Sequence, residues 1–225
     1  MLLHIPAILS AQEVGDFRRK LAAASWVDGR ETVGVQGAEV KRNDQLADAS
    51  PLRAELGNAI LAALDRTPLF FAAALPLRIT APRFNRYTGG GEYGFHIDGS
   101  VMRAGAAGHI RSDLSCTVFL NEPDDYEGGA LVIKDSYGQH DVKLPAGDLI
   151  LYPASSLHRV EPVTAGARLA SFLWIQSMVR SLEKRSLLFE LDGSIQRLRA
   201  AAGTSDAVLQ LSGVYHNLLR RWTEV

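Results

Sequence analysis

A chain of 225 residues is about one and a half times a common domain length and can bury a full core. Hydrophobic residues make up 47% and charged residues 22%, which excludes a mainly disordered chain. The formal net charge of −1 supplies no basic field for a phosphate backbone, so general nucleic-acid binding is not expected.

In chain order, residues 1–76 read as a mixed segment with two helices. Ser10-Ala11-Gln12-Glu13 has the capping-box pattern, and Val14, Phe17 and Leu21 follow at helical spacing. Ser50-Pro51 opens the second helix, with Leu52, Leu56, Ile60 and Leu64 as its apolar stripe. Between them, Gly29 to Asp44 is glycine-rich and polar, and a loop or ragged hairpin is expected there.

Residues 77–178 change character. β-rich runs at 77–87, 114–121, 130–134, 141–144, 149–152, 158–162 and 169–176 alternate with turn signals such as Pro145-Ala146-Gly147-Asp148. Short strands at that spacing imply an antiparallel sandwich or jelly roll rather than a doubly wound sheet. Residues 179–225 are helical again, with a break at Gly203-Thr204-Ser205-Asp206. One face is expected to carry Leu182, Leu187, Leu188, Leu191, Ile195 and Leu198, and the second run Val208, Leu211, Tyr215, Leu218 and Leu219. These helices offer an apolar surface for the barrel or for a homo-oligomer. The fold class expected is therefore α+β, with a jelly-roll barrel between N-terminal helices and a C-terminal helical segment.

Cys116 is the single cysteine, so an intrachain disulfide is excluded and a reducing compartment fits. It reads as a small buried residue of a strand. No apolar run reaches the ~20 residues of a bilayer crossing, and Met1–Pro6 lacks the regions of a signal peptide. A cytoplasmic location without membrane attachment is the expectation.

Gly89, Gly91 and Gly94 satisfy the dinucleotide fingerprint, but Phe95-His96-Ile97-Asp98-Gly99 has no helical period to place amides on a pyrophosphate. The chemistry lies in His96-Ile97-Asp98. Residues two apart on an extended segment share a face, so an imidazole and a carboxylate can meet one metal ion. Six histidines and 14 aspartates in 225 residues give about 0.4 such pairs by chance, so this motif alone is weak. His158, in a later strand of the same zone, completes two histidines and one carboxylate, the facial triad of non-haem Fe(II) oxygenases. Arg168 follows ten residues later in an apolar strand, where a guanidinium needs an anionic partner. His4 and His109 read as solvated, His140 as a strand-end residue and His216 as a packing-boundary residue. Trp26, Trp174 and Trp222 read as core or interface.

Arg86-Tyr87, Tyr93, His96-Ile97-Asp98, Gly128-Gly129-Ala130-Leu131, His158 and Arg168 together resemble the Fe(II)/2-oxoglutarate dioxygenases. More narrowly the chain resembles the PKHD-type (PiuC-like) hydroxylases, relatives of prolyl 4-hydroxylase, a likeness shared by the tail from Phe189 to Gln196. The resemblance implies that His96, Asp98 and His158 ligate Fe(II), and that Arg168 holds the distal carboxylate of 2-oxoglutarate. It further implies use of O2, L-ascorbate as reductant, and a peptide, amino-acid or siderophore-related substrate. Phe119 stands where relatives carry a tyrosine that contacts that carboxylate; Tyr87 or Ser115 could supply the contact, and neither is assigned. Two alternatives stay open: a cupin-like isomerase, lyase or hydrolase without 2-oxoglutarate, and an inactive metal-binding module.

Overall fold

The computed structural model describes residues 1–32, 38–103 and 108–225. Strand β1 is Leu3–Ile5, followed by helix α1, Ala11–Ala22. Ser10 caps α1 through Glu13, the box read from the sequence, and Val14, Phe17 and Leu21 are buried. Short strands β2 (Val27–Asp28), β3 (Lys41–Arg42) and β4 (Asp44–Gln45) occupy the stretch expected as a loop or hairpin, of which residues 33–37 lie outside the described residues. Helix α2, Pro51–Asp65, begins with Ser50 and Pro51 as expected. A third helix, α3 (Pro68–Ala74), follows Thr67 and Pro68 and stops at Leu75, whose φ is 43°. It was not foreseen; Pro68 occupies the first turn, where proline costs no hydrogen bond.

The expected strand at 77–87 is two, β5 (Pro76–Ile79) and β6 (Arg83–Thr88), parted by Thr80-Ala81-Pro82. Then come β7 (Glu92–His96), β8 (Val101–Arg103), β9 (His109–Arg111), β10 (Leu114–Phe119), β11 (Tyr126–Gly128), β12 (Leu131–Asp135), β13 (Gly138–Val142), β14 (Leu149–Pro153), β15 (Leu157–Val160) and the long β16 (Val163–Ser177). Strand β13 begins three residues earlier than expected, which puts His140 inside a strand rather than at its end. Helices α4 (Leu182–Ala202) and α5 (Asp206–Trp222) meet at the expected break.

Strands β1, β14, β10, β16, β6, β4 and β2 form a large sheet in that order, with β5 and β11 also on β16; β13, β12, β15, β7 and β3 form a smaller one. All described strand pairs are antiparallel. Parity along the strands sorts the core into layers. Phe84, Cys116, Val118, Leu149, Leu151, Leu173 and Ile175 point to the back of the large sheet, against the apolar faces of α1, α2 and α3. Tyr87, Phe119, Ile150 and Tyr152 point forward and meet Leu131, Ile133, Val142 and Val160 of the small sheet. This is the jelly-roll arrangement within an α+β chain that the sequence implied.

Gly128, with φ 68°, lets β11 turn back against β16: a Cβ there would lie 2.1 Å from the Pro162 carbonyl oxygen. The C-terminal layer packs through Leu75, Val179 and Leu188, with Tyr215, Leu218, Leu219 and Trp222 around them. The apolar face expected for α4 is divided: Leu188 and Ile195 are buried, while Leu182, Leu187 and Leu198 are exposed. Arg185 is among the buried residues of α4 and donates from Nη1 to the Val179 and Arg180 carbonyl oxygens, closing the end of β16.

Candidate metal centre and its pocket

The antiparallel register of β15 and β7 sets His158 directly opposite His96. Their ring centroids are 4.2 Å apart. Asp98 lies two residues beyond the end of β7, and its Oδ2 is 3.9 Å from His158 Nε2. One donor atom from each of the three residues falls within 4.8 Å of the others.

Each imidazole is oriented by the backbone. His96 Nδ1 is 2.8 Å from the Gly94 carbonyl oxygen, and His158 Nδ1 is 2.9 Å from that of Ser156. A carbonyl only accepts, so both Nδ1 atoms carry the proton and both Nε2 lone pairs are left for a ligand. Burial and the neighbouring His158 hold the His96 imidazole below its ordinary pKa, which favours the neutral, ligating form. Tyr93 stacks on His96 at 3.6 Å, and Tyr152 meets His158 edge-on at 5.2 Å. Asp98 Oδ2 accepts a 2.6 Å hydrogen bond from Ser115 Oγ on β10. The carboxylate of the small-sheet segment is thus braced by the large sheet, and Ser115 is committed to it.

Arg168 comes from the inner face of β16, opposite Tyr87. It is 1% exposed, and its guanidinium carbon lies 5.5 Å from the Tyr87 ring centre and 5.3 Å from that of Phe119. Its Nε and Nη1 atoms are buried without a hydrogen-bond partner among the described residues. A charge buried with unspent donors is costly, so the site fits an anion such as a carboxylate. Two oriented imidazoles and one carboxylate are likewise a donor set suited to Fe(II). The groups around Arg168 differ in what they can offer. Tyr87 accepts from Asn85 Nδ2 at 3.4 Å, and burial raises its phenol to about 12. The Tyr126 hydroxyl is buried beside Arg168, whose charge and hydrogen-bonding guanidinium oppose the rise that burial imposes on it. Sequence reasoning had not singled out Tyr126.

The other histidines stand apart from the triad. His4 is half-exposed and pairs with Asp148 at 2.7 Å, rather than being solvated alone. His140 pairs with Asp135 at 3.0 Å. His109 is exposed on β9, not in a loop, and His216 is exposed rather than at a packing boundary. Cys116 is buried, which raises its thiol pKa.

The cavity that holds the triad and Arg168 is also walled by Lys41, Arg83, Asn85, Phe172 and Trp174. Trp174 is therefore a pocket residue as well as a packing one, a correction to the expectation. Lys41 is 2% exposed, and burial, then the nearby Arg83, lowers its ammonium to about 8. Period-two spacing in Arg83-Phe84-Asn85-Arg86-Tyr87 is the sequence signal that puts Arg83, Asn85 and Tyr87 on this wall.

Over residues 82–176 the chain matches the family described as the 2OG-Fe(II) oxygenase superfamily, and over 183–224 that described as the PKHD-type hydroxylase C-terminal domain. A PKHD-type hydroxylase of Stenotrophomonas maltophilia (strain R551-3) is 68% identical across the full length of both chains. A prolyl-4-hydroxylase of Pseudomonas putida is similar in structure, with a TM-score of 0.53 at 20% identity, covering 78% of this chain and 92% of its own. A prolyl hydroxylase of Trichoplax adhaerens, solved with a peptide fragment of the hypoxia inducible factor oxygen degradation domain, gives 0.54 at 17% identity, covering 83% and 86%. At such identities the two structures speak for the fold, whereas the full-length likeness speaks for the family. The chain belongs to the PKHD-type hydroxylases of the 2OG-Fe(II) oxygenase superfamily, and is an enzyme of the hydroxylase class.

Proposed function

We propose that the enzyme uses Fe(II), 2-oxoglutarate and O2 to hydroxylate a small-molecule or peptide substrate, with His96, Asp98 and His158 as the metal ligands. The observation that carries the reading is the joint one: three convergent donors, and beside them a buried arginine with unspent hydrogen bonds. When bound, Fe(II) and 2-oxoglutarate supply the oxidising chemistry: substrate C–H, 2-oxoglutarate and O2 give substrate C–OH, succinate and CO2.

The chain's own residues do the rest. The Gly94 and Ser156 carbonyls keep both Nε2 atoms aimed at one point, and Ser115 holds the Asp98 carboxylate against rotation. Arg168 receives the distal carboxylate of 2-oxoglutarate between Tyr87 and Phe119, in a setting from which water is largely excluded. With Ser115 committed to Asp98 and Phe119 lacking a hydroxyl, the buried Tyr126 hydroxyl beside Arg168 is the supported second donor to that carboxylate. L-Ascorbate serves as the reductant that keeps the metal ferrous. A cupin-like isomerase, lyase or hydrolase working without 2-oxoglutarate would have to fill the Arg168 site with an anionic group of its own substrate.

The test is anaerobic titration of Fe(II), then of 2-oxoglutarate, into wild type, His96→Ala and His158→Ala. Stoichiometric iron binding in wild type and its loss in both variants, with circular dichroism unchanged, is expected. Iron affinity unchanged in either variant removes that histidine from the ligand set. Absence of 2-oxoglutarate binding to iron-loaded wild type refutes the function.

A further inference from the structure

Exposed leucines scattered singly over a surface are ordinary, but those of α4 are not scattered. Leu187 is 51% and Leu198 44% exposed. With the partly buried Leu191 and Ser194 they follow one another at spacings of four, three and four residues. That alternation draws one stripe along the helix, with the period of a seam between paired helices. Leu188 and Ile195, which face the core, lie about a quarter turn away from it. The stripe is therefore a second apolar face, separate from the one that holds α4 to the molecule.

The charges beside it are arranged by sign. Glu190 and Arg197 border the stripe on the edge turned away from the core, one on each side of its midpoint. Both are exposed, and neither has an ion-pair partner among the described residues. Arg197 Nη2 donates to Ser194 Oγ at 3.1 Å, which lays the guanidinium along the stripe's edge. Ser194 Oγ in turn donates to the Glu190 carbonyl oxygen at 2.8 Å, so its hydroxyl can enter an apolar seam already satisfied.

Such a stripe is its own complement when reversed. About a two-fold axis midway between Leu191 and Ser194, an antiparallel copy sets Leu187 against the partner's Leu198. Leu191 then meets the partner's Ser194, whose small side chain leaves it room, and Glu190 lies beside the partner's Arg197. Each of these contacts occurs twice, as a closed two-fold interface requires. A parallel copy would instead set each glutamate against its own counterpart, and each arginine likewise.

We infer that α4 is the interface of a homodimer, in which a second copy of this chain packs antiparallel on Leu187, Leu191, Ser194 and Leu198. The apolar contact supplies the affinity, and the two ion pairs set the direction, since exposed pairs add little strength. One helix about 32 Å long makes a modest interface, so dilution separates the copies. Denaturation of dilute protein thus reads the monomer, where the outer leucines count for little.

The test is sedimentation equilibrium of the full chain from micromolar to near-millimolar concentration, where a reversible monomer–dimer equilibrium is expected. The double variant Leu187→Gln, Leu198→Gln should weaken the dimer by about a hundredfold. Glu190→Arg alone and Arg197→Glu alone should each weaken it by about tenfold, because like charges then meet twice. The two charge reversals together should restore it. Circular dichroism and Fe(II) affinity should match wild type throughout, since all four positions lie outside the metal centre. A wild type that stays monomeric over the whole range overturns the inference, as does a dimer indifferent to the leucine substitutions. A dimer that the leucine substitutions weaken but the combined charge reversal fails to restore overturns the antiparallel arrangement.

Discussion

Two nitrogens of the Arg168 guanidinium side chain, Nε and Nη1, are out of water without a hydrogen-bond partner among the described residues. Its replacement should damage one binding event and spare another. Arg168→Ala should weaken 2-oxoglutarate binding by roughly ten- to a hundredfold, the worth of a charge-assisted hydrogen bond of about 1.5–3 kcal/mol, while Fe(II) affinity is kept. Arg168→Lys should recover only part of the loss, because an ammonium cannot reproduce the two-pronged geometry. Side-by-side calorimetry of metal and cosubstrate checks both, and a parallel fall in iron affinity would assign the arginine to the metal centre instead. Ser115 makes the opposite case. Its hydroxyl holds Asp98 Oδ2 at 2.6 Å, so Ser115→Ala should reduce metal affinity by about ten- to a hundredfold with the fold intact. Competition against a fluorescent chelator measures it, and an unchanged metal dissociation constant would show that the brace is dispensable.

Among the elements, α1 carries a testable pH signature. Glu13 accepts from the Ser10 backbone N–H at 2.8 Å and from Arg66 Nη2 at 2.6 Å, and these bonds hold its carboxyl below the ordinary range. A depressed folded-state value means stability that is present above the unfolded value, about 4.3, and is lost as pH falls through the folded one. Urea midpoints of Glu13→Gln should therefore lie below wild type at neutral pH and converge on it in acid; parallel curves at all pH values would show that the carboxylate's charge contributes nothing. Ser10→Ala should cost about 1 kcal/mol through the same cap. Helix α1 was legible because capping and period are local properties of sequence. Strand β11 was not. It is three residues long, and the left-handed Gly128 that shapes it answers to the Pro162 oxygen, a partner distant in the chain. Helix α3 was missed for a related reason, since one proline marks either a break or a first turn until the packing of Phe70 and Ala73 decides.

Across the whole molecule, the chemistry that could be read early was the part that depends on residue type. His96, Asp98, His158 and Arg168 are uncommon choices for an apolar barrel, and they stood out as a set rather than singly. Lys41 and Arg83 did not, because they sit on strands of different sheets that line one cavity only when the sandwich closes. Period-two spacing groups residues on one face of a strand, but which face lines the cavity is decided by the facing sheet. The C-terminal layer gave the same difficulty: six leucine and isoleucine positions on α4 looked like one face, yet only Leu188 and Ile195 are buried. Leu188→Ala should accordingly cost about 2–5 kcal/mol in chemical denaturation, whereas Leu187→Ala or Leu198→Ala should cost well under 1 kcal/mol. Equal effects at positions 187 and 188 would mean that the outer leucines are covered in solution.

The bond from Ser115 to Asp98 has one more consequence. Two of the three donors belong to the small sheet, and the third is fastened to the large one, so an ion held by all three works as a clasp between the halves of the sandwich. Whatever binds there selectively to the folded chain adds to its stability by mass action, about 2.7 kcal/mol at a hundred times the dissociation constant. Melting temperature then becomes a gauge of occupancy that requires no turnover. Metal, cosubstrate and substrate should each raise it in sequence, and the last increment can be used to find the substrate among candidate molecules.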